Sequence, residues 1–493
     1  MTNNFYLCHY KQIHFTIMLK HFIILIAFAL LAVPLSAQQG IEKHRLIVLT
    51  DIENEPDDGE SIVRLLLYSN VIDIEGIIAT TSVHMKNIVA PESLLKAVDA
   101  YEKVRPNLLL HQEGWPEADY LRSIVKKGLP KYGMTAVGKG CDSEGSQLII
   151  NTLKKDDSRP LWISVWGGVN TLAQALWKIK DNYKPAEAQK LISKLRVYTI
   201  SDQDDSGIWI RKNFPELFYI VSPGGYGNAT WSGIMDDDPS SEPQYISNQW
   251  LAENIQQNHG PLGEIYPDVA YGMEGDTPSW LGLIPNGLND MEHPDFGGWG
   301  GRYKYYTPEY ETLDLKGFNG GVPIEHEPHN IWTNAVDSFY CYAPGEYGRA
   351  IVRTQKTGGY KATVWRWRAD FQNDFAARMD WCVMDYAHAN HNPVAKLAHP
   401  ENLTVKSGEW FRLDATGSYD PDGDNLSYLW ICYPEAGSYG KNHNVEGAEN
   451  IRHVNVHAPK VSAPCTIHYI LKVTDKGTPR LTSYKRVVVT VLP

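Results

Sequence analysis

Apolar and polar positions follow two different rhythms along this chain. Leu46 to Thr50 is a continuous β-branched and Leu-rich run, followed by a polar loop and then Ser61 to Tyr68 at helical period. Ile74 to Thr80 predicts a second strand and Ser93 to Tyr101 a helix. Gln147 to Lys154 is helical, Leu161 to Trp166 a strand and Thr171 to Lys178 a helix again. Leu195 to Ile200 and Leu217 to Val221 continue the series. Strands that are apolar throughout, alternating with helices, predict an α/β fold with a mostly parallel sheet and helices on both faces. From Pro261 to Gly321 the periodicity fades and Gly, Pro and Trp dominate, the texture of long loops that form binding surfaces.

After His391-Asn392-Pro393 the rhythm shortens. Asn402 to Val405, Trp410 to Asp414, Ser427 to Ile431, Ile467 to Val473 and Lys485 to Val491 alternate between turn residues. About a hundred residues of this kind predict an all-β, immunoglobulin-like sandwich. The stretch from Leu413 to Asp424, followed by Leu426-Ser427-Tyr428-Leu429-Trp430, resembles the PKD and cadherin-like extracellular sandwiches. Asp420, Asp422 and Asp424 leave two readings, a Ca²⁺ loop or an Asp-Pro-Asp-Gly turn tied by side-chain-to-backbone bonds. An EF-hand is excluded, because the twelfth position from Asp420 is Ile431 and not Glu.

Residues 1–37 carry Lys11 and Lys20, no acidic residue, an apolar run from Phe22 to Leu35 and then Ser36-Ala37. That is the pattern of a signal peptide cleaved after Ala37, with Met18 as an alternative start. It predicts an exported protein, periplasmic or extracellular, with residues 38–392 as the α/β part and 393–493 as the sandwich. No later stretch is apolar enough to span a bilayer. Lys and Arg total 46 against 58 Asp and Glu in 493 residues, a net charge of −12, which repels phosphate backbones and anionic membranes. Nucleic acid and a stable membrane anchor are therefore excluded as partners; an oligomer is left open. Beyond the signal the cysteines are Cys141, Cys341, Cys382, Cys432 and Cys465, without C-x-x-C spacing. Cys432 and Cys465 stand either as a bridge or as two free thiols.

The strongest chemistry follows the first strand. Thr50-Asp51-Ile52-Glu53-Asn54-Glu55-Pro56-Asp57-Asp58 holds five carboxylates in eight positions, just past the end of a buried strand. In open α/β sheets that is where ligands bind. Carboxylates so close repel one another unless a cation or a proton neutralises them. Oxygen donors without His or Cys select Ca²⁺, then Mg²⁺, over zinc. Asp57 and Asp58 also suit a helix N-terminus, but that role accounts for one or two acids rather than five. Asp202, Asp204 and Asp205, after another strand, either grip sugar hydroxyls or cap the next helix.

The strand, the acidic loop ending in Asp57-Asp58, the helix and then Ile74-Glu75-Gly76-Ile77-Ile78-Ala79-Thr80-Thr81-Ser82 resemble the nucleoside hydrolases. The chain more closely resembles their secreted bacterial relatives, nucleoside hydrolase-like proteins often labelled cellulose-binding. Further blocks carry this likeness: Trp166 to Ala173, Ser201 to Asp205, Met273 to Ser279, Gly297 to Tyr303 and Trp365 to Trp381. The resemblance implies that Asp51 ligates Ca²⁺ and serves as base to its water, with Asp57 beside the sugar. It implies Asp58, the Trp166 carbonyl and Asp276 as further ligands. Glu55, Thr81, Ser82, Asn170, Asp202, Asp204, Asp205, Glu274 and Trp299 are the expected substrate contacts. Three departures stand out. The acidic loop is two residues longer, so Glu55 takes a place that competes for the metal. The sugar-binding Asn after the second strand is missing near Thr81 and Ser82, and Gly275 replaces a His before Asp276.

Cleaving a glycosidic bond needs an activated water on one face and stabilisation of a cationic sugar, which such a site offers. The expected function is an exported, metal-dependent hydrolase of an N-ribosyl or O-glycosyl bond in a small molecule or oligosaccharide. The alternative is a non-catalytic carbohydrate-binding (cellulose-binding) protein on the same fold. Other features carry less. Glu325-His326-Glu327-Pro328-His329 is no zinc helix, since Pro328 breaks it. His388 and His391 are expected at the surface. Trp365, Trp367 and Trp381 are candidates for stacking on sugar or for core. Arg366, Arg368 and Arg378 are candidates to pair with the acidic site or with Asp370, Asp374 and Asp380.

Overall fold

Eight strands assemble into one sheet in the order β3-β2-β1-β4-β5-β6-β8-β7. They are β1 (His44–Thr50), β2 (Ile72–Ala79), β3 (Val125–Lys127), β4 (Leu161–Val165), β5 (Leu195–Thr199), β6 (Phe218–Val221), β7 (Tyr303–Tyr306) and β8 (Ile331–Asn334). The computed structural model describes residues 42–493 except 229, 237–241, 344–351, 444 and 446–450. The expected signal peptide lies outside the described residues, and no described helix is long and apolar enough to cross a membrane.

All neighbouring strands pair in parallel except β7 with β8. The antiparallel edge strand β7, Tyr-Lys-Tyr-Tyr, lies in the aperiodic stretch and gave no strand signal; only its first residue is buried. Leu46, Ile47, Val48 and Leu49 in β1 are fully buried because layers cover both faces of the sheet. A register shift between Leu46 and Ile47 passes over Glu75 and seats Gly76 against Ile47, where a Cβ would come within 2.9 Å of Leu148. Reading outward from β1, the chain order runs one way through β2 and β3 and the other way through β4, β5 and β6. The reversal opens a crevice beyond the C-terminal ends of β1 and β4, the ordinary ligand position in such sheets.

The C-terminal part is all β. A four-stranded sheet, β11-β16-β15-β13, uses Asn402–Lys406, Thr482–Leu492, Cys465–Thr474 and Ser427–Cys432, and a pair, β12-β14, uses Trp410–Asp414 and His453–His457. A separate hairpin joins β9 (Asp337–Ala343) to β10 (Val352–Gly359). Leu413, Trp430, Tyr469, Leu471, Val487 and Val489 fill the sandwich core. Cys432 and Cys465 are free thiols. In the aspartate loop, the amides of Asp422 and Asp424 donate to Asp420 Oδ1 at 2.9 and 3.1 Å, the bonds of a turn. Asp422 is further committed to His391.

His391 corrects an expectation. His388 is exposed, but His391 is buried, stacked on Tyr386 and Trp381, with Nδ1 2.9 Å from Asp422 and Nε2 3.0 Å from His111. Trp381 and Trp367 are likewise buried, and Trp381 donates to the Asn390 carbonyl. Arg378 pairs with Asp374, Arg366 with Asp337, and Arg368 donates to the carbonyls of Ile234 and Asp236.

Residues 43–493 form one compact unit, and the contacts between sheet and sandwich say why. Asp337 is buried between Arg302 (2.6 Å), Arg366 (2.9 Å) and the Tyr433 hydroxyl (2.5 Å). Tyr484 donates to Asp370 and accepts from Trp299 Nε1, while Arg486 donates to the carbonyls of Leu288 and Gly297. These groups are buried, and the bonds of Tyr433, Tyr484 and Arg486 to Asp337, Asp370, Trp299, Leu288 and Gly297 cross the junction. Tyr484→Phe, which keeps the ring and drops the hydroxyl, is expected to cost about 1–3 kcal/mol in urea unfolding, since Asp370 loses a buried donor. A chain ending at Asn390 is expected to melt well below the full chain or to be insoluble.

Candidate functional site

The chain reverses directly after β1. The Asn54 amide donates to the Asp51 carbonyl at 3.0 Å, and Glu53 has a φ of 84°, a left-handed conformation that a tight turn imposes on a non-glycine residue. Pro56 suits the first turn of the helix Pro56–Leu66, so Asp57 and Asp58 fall where the helix dipole favours negative charge. Thr50, the last residue of β1, donates its hydroxyl to Asp58, and Asp57 Oδ1 accepts the Asp58 amide at 3.1 Å. Asp276 arrives from the far side, ahead of the short helix Pro278–Leu281, its carbonyl held by the amide and hydroxyl of Ser279.

Carboxylate oxygens of Asp57, Asp58 and Asp276 lie within 4.8 Å of one another. Asp51 adjoins them and is 1% exposed. Its Oδ2 and Asp276 Oδ1 are shut off from water without a hydrogen-bond partner. Burial, reinforced by Asp57 and opposed by a hydrogen bond from Ser82, pushes the Asp51 carboxyl up to about 7. Burial first, then the charges of their neighbours, holds Asp58 and Asp276 well above the ordinary carboxylate range. Glu55, half-buried at the rim, is pushed to about 7 by burial and by Asp57. Orphaned oxygens among oxygen-only donors fit a hard divalent cation, which Asp57, Asp58 and Asp276 would hold with Asp51 beside them.

The turn after β4 completes the floor. A Cβ on Gly167 would lie 2.7–2.9 Å from the Asp51 side chain, so only glycine lets Asp51 settle there. The Trp166 carbonyl, expected to serve the metal, accepts from Gln203 Nε2, which leaves it one lone pair. Ser82 is brought to the site as a donor to Asp51, its own oxygen fixed by the amides of His84 and Met85 at 3.1 Å.

Several expected substrate contacts are braces instead. Asn170 spends both amide hydrogens on Thr81 and the Lys131 carbonyl and its oxygen on Thr80. Thr81 donates to Lys131 as well. Asp202 is held by Arg211 at 2.7 and 2.9 Å, in a cluster shared with Glu327. Asp204 accepts the amides of Asn170 and Ser206, which fits the capping reading; Asp205 makes no side-chain bond to that helix and accepts the Met134 amide instead. Glu274, two residues before Asp276, is fully buried on Arg64 (2.9 Å), Tyr266 and Thr277. Trp299 is packed edge-on against Tyr484 and Phe371 inside the core. In each case a neighbour that sequence spacing does not reveal takes up the polar group or the ring.

Trp231 gave no sequence signal and belongs to the site. Its Nε1 donates to Asp57 Oδ2 at 2.9 Å. The indole fills the space beside Gly275, where a Cβ would come within 2.0 Å of it. The missing side chain before Asp276 is thus the one trace of Trp231 in the sequence.

Residues 45–303 match the family model described as cellulose-binding Sde182, nucleoside hydrolase-like domain. The chain belongs to this family. Residues 410–491 match the model of the cellulose-binding protein Sde0182 C-terminal domain. Among solved structures, a nucleoside hydrolase-related hypothetical protein from Saccharophagus degradans, described as associated with carbohydrate metabolism, is 36% identical with a TM-score of 0.75. It covers 91% of this chain and all of its own. An effector protein at 12% identity and a TM-score of 0.26, over 59% of this chain and 87% of its own, is too remote to bear on fold. No curated protein matches the sequence.

The indole hydrogen bond lowers the Asp57 carboxyl against the burial that raises it. Trp231→Phe is therefore expected to move Asp57 ionisation to higher pH. At about pH 8 it should cost roughly 1.5–3 kcal/mol, the worth of a hydrogen bond to a charged group, in urea unfolding. Unaltered unfolding would remove Trp231 from this role.

Proposed function

We propose that the protein is an exported, Ca²⁺-dependent hydrolase of glycosidic bonds in a carbohydrate or nucleoside-like ligand. The observation that carries this reading is the unpartnered, buried Asp51 carboxylate oxygen beside three clustered aspartates at the switch point of a nucleoside hydrolase-like sheet. A bound divalent cation would supply a fixed water of lowered pKa. Asp51 accepts the proton at its free oxygen, held in place by Ser82 and by the absence of a side chain on Gly167. Asp57, oriented by Trp231, stabilises positive charge on the sugar ring as the bond to the leaving group lengthens. Glu55, at the rim, accepts hydroxyls of the ligand.

A second reading, a non-catalytic carbohydrate-binding protein using the same acidic pocket, is favoured by the family description, cellulose-binding. Asp51→Asn separates the two. It keeps the size and one oxygen but removes the base, so a hydrolase loses on the order of 10² to 10⁴ in turnover while ligand affinity survives. Nucleosides and plant-polysaccharide oligosaccharides, assayed with and without chelator, supply the substrate panel. A wild type that cleaves none of them yet binds one through the acidic pocket is a binder.

The cation has its own signature. With Asp51 and Glu55 raised to about 7 in the folded state, the metal-free fold binds more protons than the unfolded chain above about pH 4. These groups therefore favour folding in acid, and that contribution falls as pH rises towards 7. Ca²⁺ binds the deprotonated carboxylates, so it should raise Tm more at about pH 8 than at about pH 5. At a hundred-fold excess over Kd the gain is about 2.7 kcal/mol. Asp58→Ala should abolish it, and a Tm indifferent to Ca²⁺ at both pH values would reject the metal.

A further inference from the structure

The rings expected to meet a sugar are inside the core, but another set of rings leads away from the carboxylates. Trp231, bonded to Asp57, lies 6.3 Å from the ring of Tyr226. Phe318 stands edge-on to Tyr226 at 5.8 Å and stacks on His84 at 5.7 Å with 24° between planes. His84 Nε2 is 3.1 Å from the Tyr226 hydroxyl. Three separate loops contribute these rings; backbone bonds join the Tyr226 loop to the Phe318 loop and tie the His84 loop to Gln203. The Tyr226 amide donates to the Phe318 carbonyl at 2.9 Å, the Gly225 amide to Asp314 at 3.1 Å, and the Val83 amide to Gln203 at 2.7 Å. The charges of Asp51 and Glu55 help to raise the Tyr226 phenol, behind burial, so the array borders the acidic pocket.

At the outer end Phe318 is 72% exposed, yet it is held in place by its stack on His84 and its edge contact with Tyr226. We infer that the Trp231–Tyr226–Phe318–His84 array is a saccharide subsite, with Phe318 as the platform on which an outer sugar ring of a neutral glycan stacks while the chain runs inward to the carboxylates. A flat ring offers its surface to the C–H face of a pyranose, and the rings of Tyr226 and Trp231 lead from that platform to the half-buried Glu55 and the carboxylates of the acidic pocket. The same carboxylates repel phosphorylated or uronic ligands, which selects neutral sugars. This subsite rests on the carbohydrate reading given above and deepens it.

The test is calorimetric titration of the full chain, in Ca²⁺, with cellohexaose and in parallel with a nucleoside. Phe318→Ala should weaken cellohexaose binding about ten-fold, leave Ca²⁺ affinity and Tm unchanged, and be rescued by Phe318→Trp. If Phe318→Ala binds cellohexaose as the wild type does while Asp58→Ala does not, the subsite is wrong and the acidic site stands. A loss confined to the nucleoside would overturn the saccharide assignment. A wild type that binds neither probe would overturn both the subsite and the reading beneath it.

Discussion

Four aspartates buried side by side must be neutralised, and the rest of the molecule is arranged around that demand. Among the described residues no Lys or Arg forms an ion pair with Asp51, Asp57, Asp58 or Asp276. The nearest such group along the helix, Arg64, is committed to Glu274. Thr50, Ser82 and Trp231 each give one hydrogen bond to the cluster, which orients the oxygens without cancelling their charge. A fold that hides this much like charge holds protons or a cation there, because an uncompensated buried carboxylate costs several kcal/mol. The glycine at 167 and the turn at Glu53 are the backbone side of the same arrangement: both let acids approach more closely than side chains would otherwise allow.

The contrast with the other buried acids is instructive. Glu274, Asp337 and Asp374 are as deeply placed, yet each faces an arginine: Arg64, Arg302 with Arg366, and Arg378. Asp202 shares Arg211 with Glu327. The pairs Arg64–Glu274 and Arg211–Glu327 brace elements that are far apart in sequence, while Arg378–Asp374 lies within one helix. The site differs from them by what it lacks, and that difference separates a ligand-seeking cluster from an architectural one.

Much of this was legible in the sequence where the signal is local. The apolar run of β1, the acids after it and Pro56 lie within one short stretch, so strand, turn and helix start could be read together. Asp276 was found through its motif block. What could not be read is decided by tertiary neighbours. Glu274 stands two residues from Asp276 and looks equally fit for a ligand, but Arg64 is more than two hundred positions away in the chain. Asp204 and Asn170 have the composition of sugar contacts, yet they bond to each other, to backbone and to Thr80, Thr81 and Ser206. Tyr226, Trp231 and Phe318 sit in stretches with no period, where hydrophobic patterning is silent about which ring faces inward.

The segment from Glu274 to Tyr303 is anchored at both of its ends. One end carries Asp276 into the carboxylate cluster. The other end is seated on the sandwich, with Trp299 on Tyr484, Gly297 and Leu288 on Arg486, and Arg302 in the knot with Asp337 and Tyr433. The two parts are therefore not interchangeable cassettes. A recombination event that swapped the sandwich for another of the same shape would inherit an acidic pocket whose fourth carboxylate had lost its seat. The sheet and the sandwich can only be passed on, or redesigned, as a single piece.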